Sequence, residues 1–169
     1  MSFSVGASGV WKTATEAHIG AGGVWKRIVA MWIGAGGVWK NFFASISISD
    51  DTVQATRTGS GTAAAQYSLL NTGVVREISN GVVTDIGSWL LAGSAADYEC
   101  RMTMTSGTNF TGDALSTWLN LGTSRTWALS KSSPEGTNTG TATLEFSPAG
   151  SNTPIASATI TITARWFAA

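Results

Sequence analysis

The chain has 169 residues, enough for one sizeable domain and an appendage, with ten Lys and Arg balanced by ten Asp and Glu, one His and one Cys. Zero net charge in a background of Gly, Ser, Thr and Ala excludes the dense basic face of a nucleic-acid binder. A lone Cys100 excludes an intrachain disulfide and any Cys/His zinc pattern.

Residues 1–44 repeat one unit three times. Val10-Trp11-Lys12, Val24-Trp25-Lys26 and Val38-Trp39-Lys40 fall fourteen residues apart, each after a glycine-rich lead-in such as Ile33-Gly34-Ala35-Gly36-Gly37. Glycine reaches positive φ freely, while Val, Ile, Trp and Phe favour strands, so each unit is predicted to be a short β-hairpin or arch. Isolated hairpins bury too little to be stable alone, and each covered tryptophan would remove on the order of 150–250 Å² from water. Trp11, Trp25, Trp32 and Trp39, with Val10, Val24, Val38, Lys12, Lys26 and Lys40, are therefore expected to form an assembly interface, with copies of the same chain as the first partner. The unit is imperfect: Ser8 replaces the glycine of the later units, and Ser4, His18 and Trp32 share one repeat position. A position that accepts Ser, His and Trp is a packing position, and His18 carries no predicted chemistry.

The arm is basic, with Lys12, Lys26, Arg27 and Lys40 against Glu16, and the remainder is mildly acidic. These few cations read as solubilising edge charges. The stretch 28–39 is uncharged but shorter and richer in glycine than the about 20 apolar residues of a membrane helix, so no stable membrane insertion is expected. The opening Met1-Ser2-Phe3-Ser4-Val5-Gly6 has neither the basic start nor the apolar run of a secretory signal. The expected place of synthesis is the cytoplasm of the cell that makes it.

Past residue 44 the pattern changes to alternation at period two, the mark of a half-buried strand. Ser45-Ile46-Ser47-Ile48-Ser49 is the first example. In 97–105 Tyr98, Cys100, Met102 and Met104 take one face and Glu99, Arg101 and the threonines the other, which makes Cys100 a core residue. Strands are also predicted over 74–78 and 82–86, joined by Asn80-Gly81, a pair that tolerates the positive φ of a type I′ turn. Others fall at 117–121, 125–130, 141–146 and 155–164. Ala158, Ile160 and Ile162 alternate with threonines in the last of these, which reads as a closing strand. Pro134, Pro148 and Pro154 sit between strands, and 63–70 alone could hold a helical turn. Seven to nine strands with turns between them predict an all-β chain: hairpin repeats over 1–44, then an antiparallel two-sheet sandwich over 45–169.

The runs Gly87-Ser88-Trp89-Leu90, Ala96-Asp97-Tyr98-Glu99, Thr117-Trp118-Leu119-Asn120-Leu121-Gly122 and Ser124-Arg125-Thr126-Trp127 resemble a β-sandwich domain of tailed-bacteriophage virion proteins. The Gly-Gly-Val-Trp-Lys repeats resemble those near the ends of phage tail-fibre and tail-tip proteins, often beside small immunoglobulin-like domains. The resemblance implies an immunoglobulin-like sandwich, a virion location in the tail, homotrimeric assembly from fibre symmetry, and other tail proteins as partners.

Chemistry is hard to find. A Ser–His–acid or Cys–His nucleophile would need contact between the arm and the second region. A glycosidase needs two carboxylates flanking a sugar, but Asp97 and Glu99 with Arg101 read as an exposed charge ladder, and Asp50, Asp51 and Asp113 as turn residues. Gly34-Ala35-Gly36-Gly37 with Lys40 lacks the Gly-Lys-Ser/Thr of a phosphate-binding loop, and no calcium-loop motif or paired histidine occurs. No catalytic residue, cofactor or metal ligand is predicted. The expected function is a non-enzymatic tail protein at the tip, baseplate or fibre attachment. The alternatives are a receptor- or glycan-binding module acting through polar loops at 105–112 and 132–140, and a capsid decoration protein.

Overall fold

The computed structural model describes the backbone of residues 3–7, 10–14, 17–21, 24–28, 30–35, 38–44 and 46–169 apart from 108 and 109, with side chains at Ile28 and from Ile46 onward. Every long element is a strand. The first six pair as three antiparallel hairpins: β1 (Phe3–Ala7) with β2 (Val10–Ala14), β3 (Ala17–Ala21) with β4 (Val24–Ile28), and β5 (Ala30–Ala35) with β6 (Val38–Ala44). Their registers repeat as the sequence does, with Gly6 opposite Trp11, Gly20 opposite Trp25 and Gly34 opposite Trp39.

Ten more strands form two five-stranded sheets: β7 (Asp51–Thr58), β8 (Thr62–Leu69), β9 (Val74–Ser79), β10 (Val82–Ser88), β11 (Tyr98–Gly107), β12 (Thr111–Gly112), β13 (Leu119–Asn120), β14 (Arg125–Ser132), β15 (Gly136–Pro148) and β16 (Ala156–Phe167). One sheet runs β10-β9-β8-β14-β12 and the other β13-β11-β15-β16-β7. All pairs are antiparallel except β16 with β7. The expected all-β class and two sheets are borne out, but the sheets are not wholly antiparallel as expected, because β7 joins β16 in parallel.

Alternation builds the core. Tyr67 and Leu69 of β8 and Trp127 and Leu129 of β14 share one buried cluster with Met102 of β11, Leu144 and Phe146 of β15, Ile160 and Ile162 of β16, and Val53 of β7. Residues from both sheets meet there, so the sheets face each other across it. Trp89 lies in this cluster, edge-on to Tyr98 with ring centres 6.2 Å apart and 5.4 Å from Phe146, while its indole N–H donates to the Leu70 carbonyl at 3.0 Å. Cys100 is buried as expected, and burial pushes its thiol up to about 12. Asn80 and Gly81 take φ of 49° and 85° between the paired Ser79 and Val82, the hairpin turn that their chemistry favours.

Several local expectations fail for reasons of tertiary packing. Residues 63–70 are not helical: Ala63, Ala65, Tyr67 and Leu69 alternate inward on β8, paired on both sides, and the helix propensity of alanine yields to that burial. Residues 47–50 form no strand, and Ile46 makes a single bridge to Leu90. The first strand of this region instead begins at Asp51, one of the supposed turn residues. The closing strand β16 is an inner strand, because β7 adds to it in parallel from Ile160 opposite Asp51 to Phe167 opposite Thr58. Only Leu119 and Asn120 of the predicted strand 117–121 pair. The expected loops at 105–112 and 132–140 are largely ladder, since Gly107 pairs with Gly140 and Gly136 with Trp166. Pro148 ends β15, opposite Tyr98.

Candidate functional site: an acidic cleft where the two sheets part

Both β7 and β10 are terminal strands of their sheets. Far along this side, Ser79 Oγ donates to the Gln54 carbonyl at 2.6 Å and Asn80 Nδ2 to the Thr56 carbonyl at 2.7 Å, tying the β9–β10 hairpin to β7. At the other end Ser47 N–H donates to the Trp89 carbonyl at 2.9 Å, beside the Ile46–Leu90 bridge. Between these ties lies a cleft of about 280 Å³. Ser47, Ile48, Ser49 and Asp51 form one wall, Val75 and Glu77 of β9 with Ile86, Gly87 and Ser88 of β10 the other, and Tyr67 also lines it. Ile86 stands at a register shift between Asp85 and Gly87, a bulge in the terminal strand.

Two carboxylates meet here from facing sheets. Glu77 is pushed up to about 7, first by burial, then by its hydrogen bond to Asp51 and by the charge of Asp51. Asp51 uses Oδ1 to accept the Thr52 N–H at 2.8 Å, while Oδ2 is sealed from solvent with no donor. Below about pH 7 Glu77 holds a proton that can bridge the two groups. The Tyr67 phenol is only 1% exposed, and its pKa is raised by burial and then by the charges of Asp51 and Glu77. Carboxyls in hydrogen-bonding contact are closer than the about 5–9.5 Å that lets two of them flank a glycosidic bond, so this pair does not have glycosidase geometry.

The other carboxylates are engaged structurally. The exposed ladder expected of Asp97, Glu99 and Arg101 is not what forms. Asp97 caps a 3-10 turn over Ala95–Asp97, with its Oδ2 accepting the Ser94 N–H at 3.2 Å. Glu99 is buried and accepts the Gly150 and Asn152 N–H groups at 3.1 and 2.8 Å. Arg101 pairs across to Glu145 and lies 4.6 Å from the Trp118 ring centre. Asp50 accepts the Thr159 N–H at 2.7 Å, and Asp113 accepts the Thr126 N–H at 2.7 Å while pairing with Arg125 at 3.3 Å.

The side chains expected to assemble the chain, Trp11, Trp25, Trp32, Trp39, Val10, Val24, Val38, Lys12, Lys26 and Lys40, lie outside the described residues, as does that of His18. Sequence reasoning missed the cleft. The signal available to it was an acidic residue, Asp51, just ahead of the alternation Val53/Ala55, and a glutamate, Glu77, within the predicted strand 74–78. The fold defines an all-β, two-sheet protein with a repeated hairpin arm and an acidic cleft. No family model, no curated protein and no solved structure matches the chain.

Proposed function

We propose that the chain is a non-enzymatic structural protein of a bacteriophage tail, at the tip, baseplate or fibre attachment, which assembles as a homotrimer through its tryptophan repeats and displays an immunoglobulin-like domain. The observation that carries this reading is the threefold repeat, in sequence and in backbone register, of a Val-Trp-Lys strand set against a glycine. Repetition at so short a period builds a surface for stacking rather than a unique reactive centre. The resemblance of these repeats and of the tryptophan-containing runs to phage tail proteins supplies the location and the trimer.

Support for the immunoglobulin-like assignment comes from strand grouping. With β8 as strand B, β14 as E and β12 as D share its sheet, while β11, β15 and β16 group in the other sheet as C, F and G do. The hairpin β9–β10 is then an addition beside B. Its outer strand exposes Val82 and Val83, which favours contact with a neighbouring protein at that edge. The contact geometry of Asp51 and Glu77 favours a non-enzymatic role over polysaccharide cleavage.

Sedimentation of the purified chain tests the assembly. Wild type is expected to run as a trimer, and Trp25→Ala to weaken association by about 2–4 kcal/mol as a central aromatic anchor would. Unchanged association of that variant would sink the docking role. Immunogold labelling of particles with an antibody to residues 45–169 tests location: label at the tail end supports the proposal, and label over the capsid replaces it with decoration.

A further inference from the structure

We infer that the cleft between β7 and the β9–β10 hairpin binds a hard divalent cation, held by the carboxylates of Asp51 and Glu77 with the Tyr67 hydroxyl beside them. This inference stands apart from the virion reading and rests on four observations. First, the two carboxylates reach the same point from opposite sheets, and neither forms an ion pair with a described Arg or Lys: Arg76, Arg101 and Arg125 are paired with Asp85, Glu145 and Asp113. Second, Asp51 Oδ2 is shut off from solvent and meets no described N–H or hydroxyl donor, so whenever Glu77 is ionised the oxygen is uncompensated unless a cation meets it. Third, Tyr67 lines the cleft at 1% exposure, and no described residue gives its hydroxyl a hydrogen bond, so a neutral oxygen with a free lone pair is added independently of the acids. Fourth, the cleft's 280 Å³ has room for an ion with its remaining water, at roughly 30 Å³ for each water.

The donor set selects the ion class. Carboxylate, phenol and serine oxygens are hard donors that suit Ca²⁺ or Mg²⁺, and the cleft contains no histidine or cysteine for a softer metal. Two carboxylates neutralise a charge of two. No third acidic, His or Cys group joins them among the described residues, so water completes the shell. Affinity then falls at the weak end for oxygen sites, with a dissociation constant on the order of 10⁻⁴–10⁻³ M. A bound ion would tie Asp51 at the start of β7 in one sheet to Glu77 on β9 in the other, a staple between the Ser79 and Asn80 bonds at one end and the Ser47–Trp89 bond at the other.

Thermal unfolding of the full chain with EGTA, CaCl₂ or MgCl₂ at matched ionic strength, alongside equilibrium dialysis with ⁴⁵Ca²⁺, tests the site. Calcium at about ten times the dissociation constant is expected to raise the midpoint by about 3–5 °C, with one ion bound per chain. Asp51→Asn and Glu77→Gln are each expected to abolish that increment and the bound calcium. The readout is the calcium-dependent increment, so a change in the variants' own stability does not obscure it. Two results would overturn the inference: no increment and no bound calcium or magnesium in the wild type, or an increment and stoichiometry that persist in both variants.

Discussion

Glu99 and Glu77 each carry a carboxylate toward the interior, one on β11 and one on β9, and their surroundings answer it in opposite ways. Around Glu99 the 149–153 loop turns backbone N–H groups inward, from Gly150 and Asn152, and Ser147 Oγ accepts the Thr153 N–H at 3.0 Å to hold the same loop. Glu77 instead shares its cleft with another carboxylate and a buried phenol, beside Ser47, Ser49 and Ser88. The first arrangement completes a hydrogen-bond network and fixes a loop. The second sets two acids against each other in a partly buried cleft, and the raised pKa of Glu77 follows from it.

Substitutions can break this contrast. The largest effect is expected at Glu99→Ala, which deprives two backbone N–H groups of a charged acceptor and should lower stability by about 2 kcal/mol, read as a lower urea midpoint. Glu77→Gln should act in the other direction. Its folded pKa of about 7 lies above the ordinary 4.5, so the folded state holds a proton that the unfolded chain has lost. The stability tied to that proton is complete below about pH 4.5, declines as pH rises toward 7 and is gone above it. With a chelator present, the glutamine variant should therefore exceed wild type at pH 8 by about 1 kcal/mol after allowance for solvent screening, and the gap should close toward pH 4.5. Denaturation midpoints across that range decide it, and a constant gap would refute the assignment to Glu77.

Smaller effects sharpen the comparison at the surface. Arg101→Ala loses the Glu145 pair and the cover over Trp118, and should cost about 1 kcal/mol in the same urea assay. Arg76→Ala should leave the midpoint unchanged at moderate salt, although Arg76 and Asp85 form two hydrogen bonds that hold Asp85 below its usual range. That pair stands at the solvent-facing edge, where screening removes most of its benefit.

Much of the fold was legible locally. The alternation in 97–105 placed Tyr98, Cys100 and Met102 in the core, and Asn80-Gly81 marked its hairpin, because both signals depend on neighbours within a few residues. Glu99 was misread for the same reason. Alternation put it on the outer face, and nothing nearby in sequence announced that a loop some fifty residues later would cover it. The alanines of β8 looked helical because propensity is local, whereas their strand conformation comes from pairing with β9 and β14.

By itself the sequence determined the all-β class, the threefold repeat, the buried cysteine and the β9–β10 hairpin, since period-two burial and turn chemistry operate over a few residues. Tertiary structure alone decided that β7 joins β16 in parallel and that Asp51 meets Glu77 beside Tyr67. Both depend on which strand ends converge when two sheets close over one core. That is a long-range choice set by packing of the whole interior, and no local pattern encodes it.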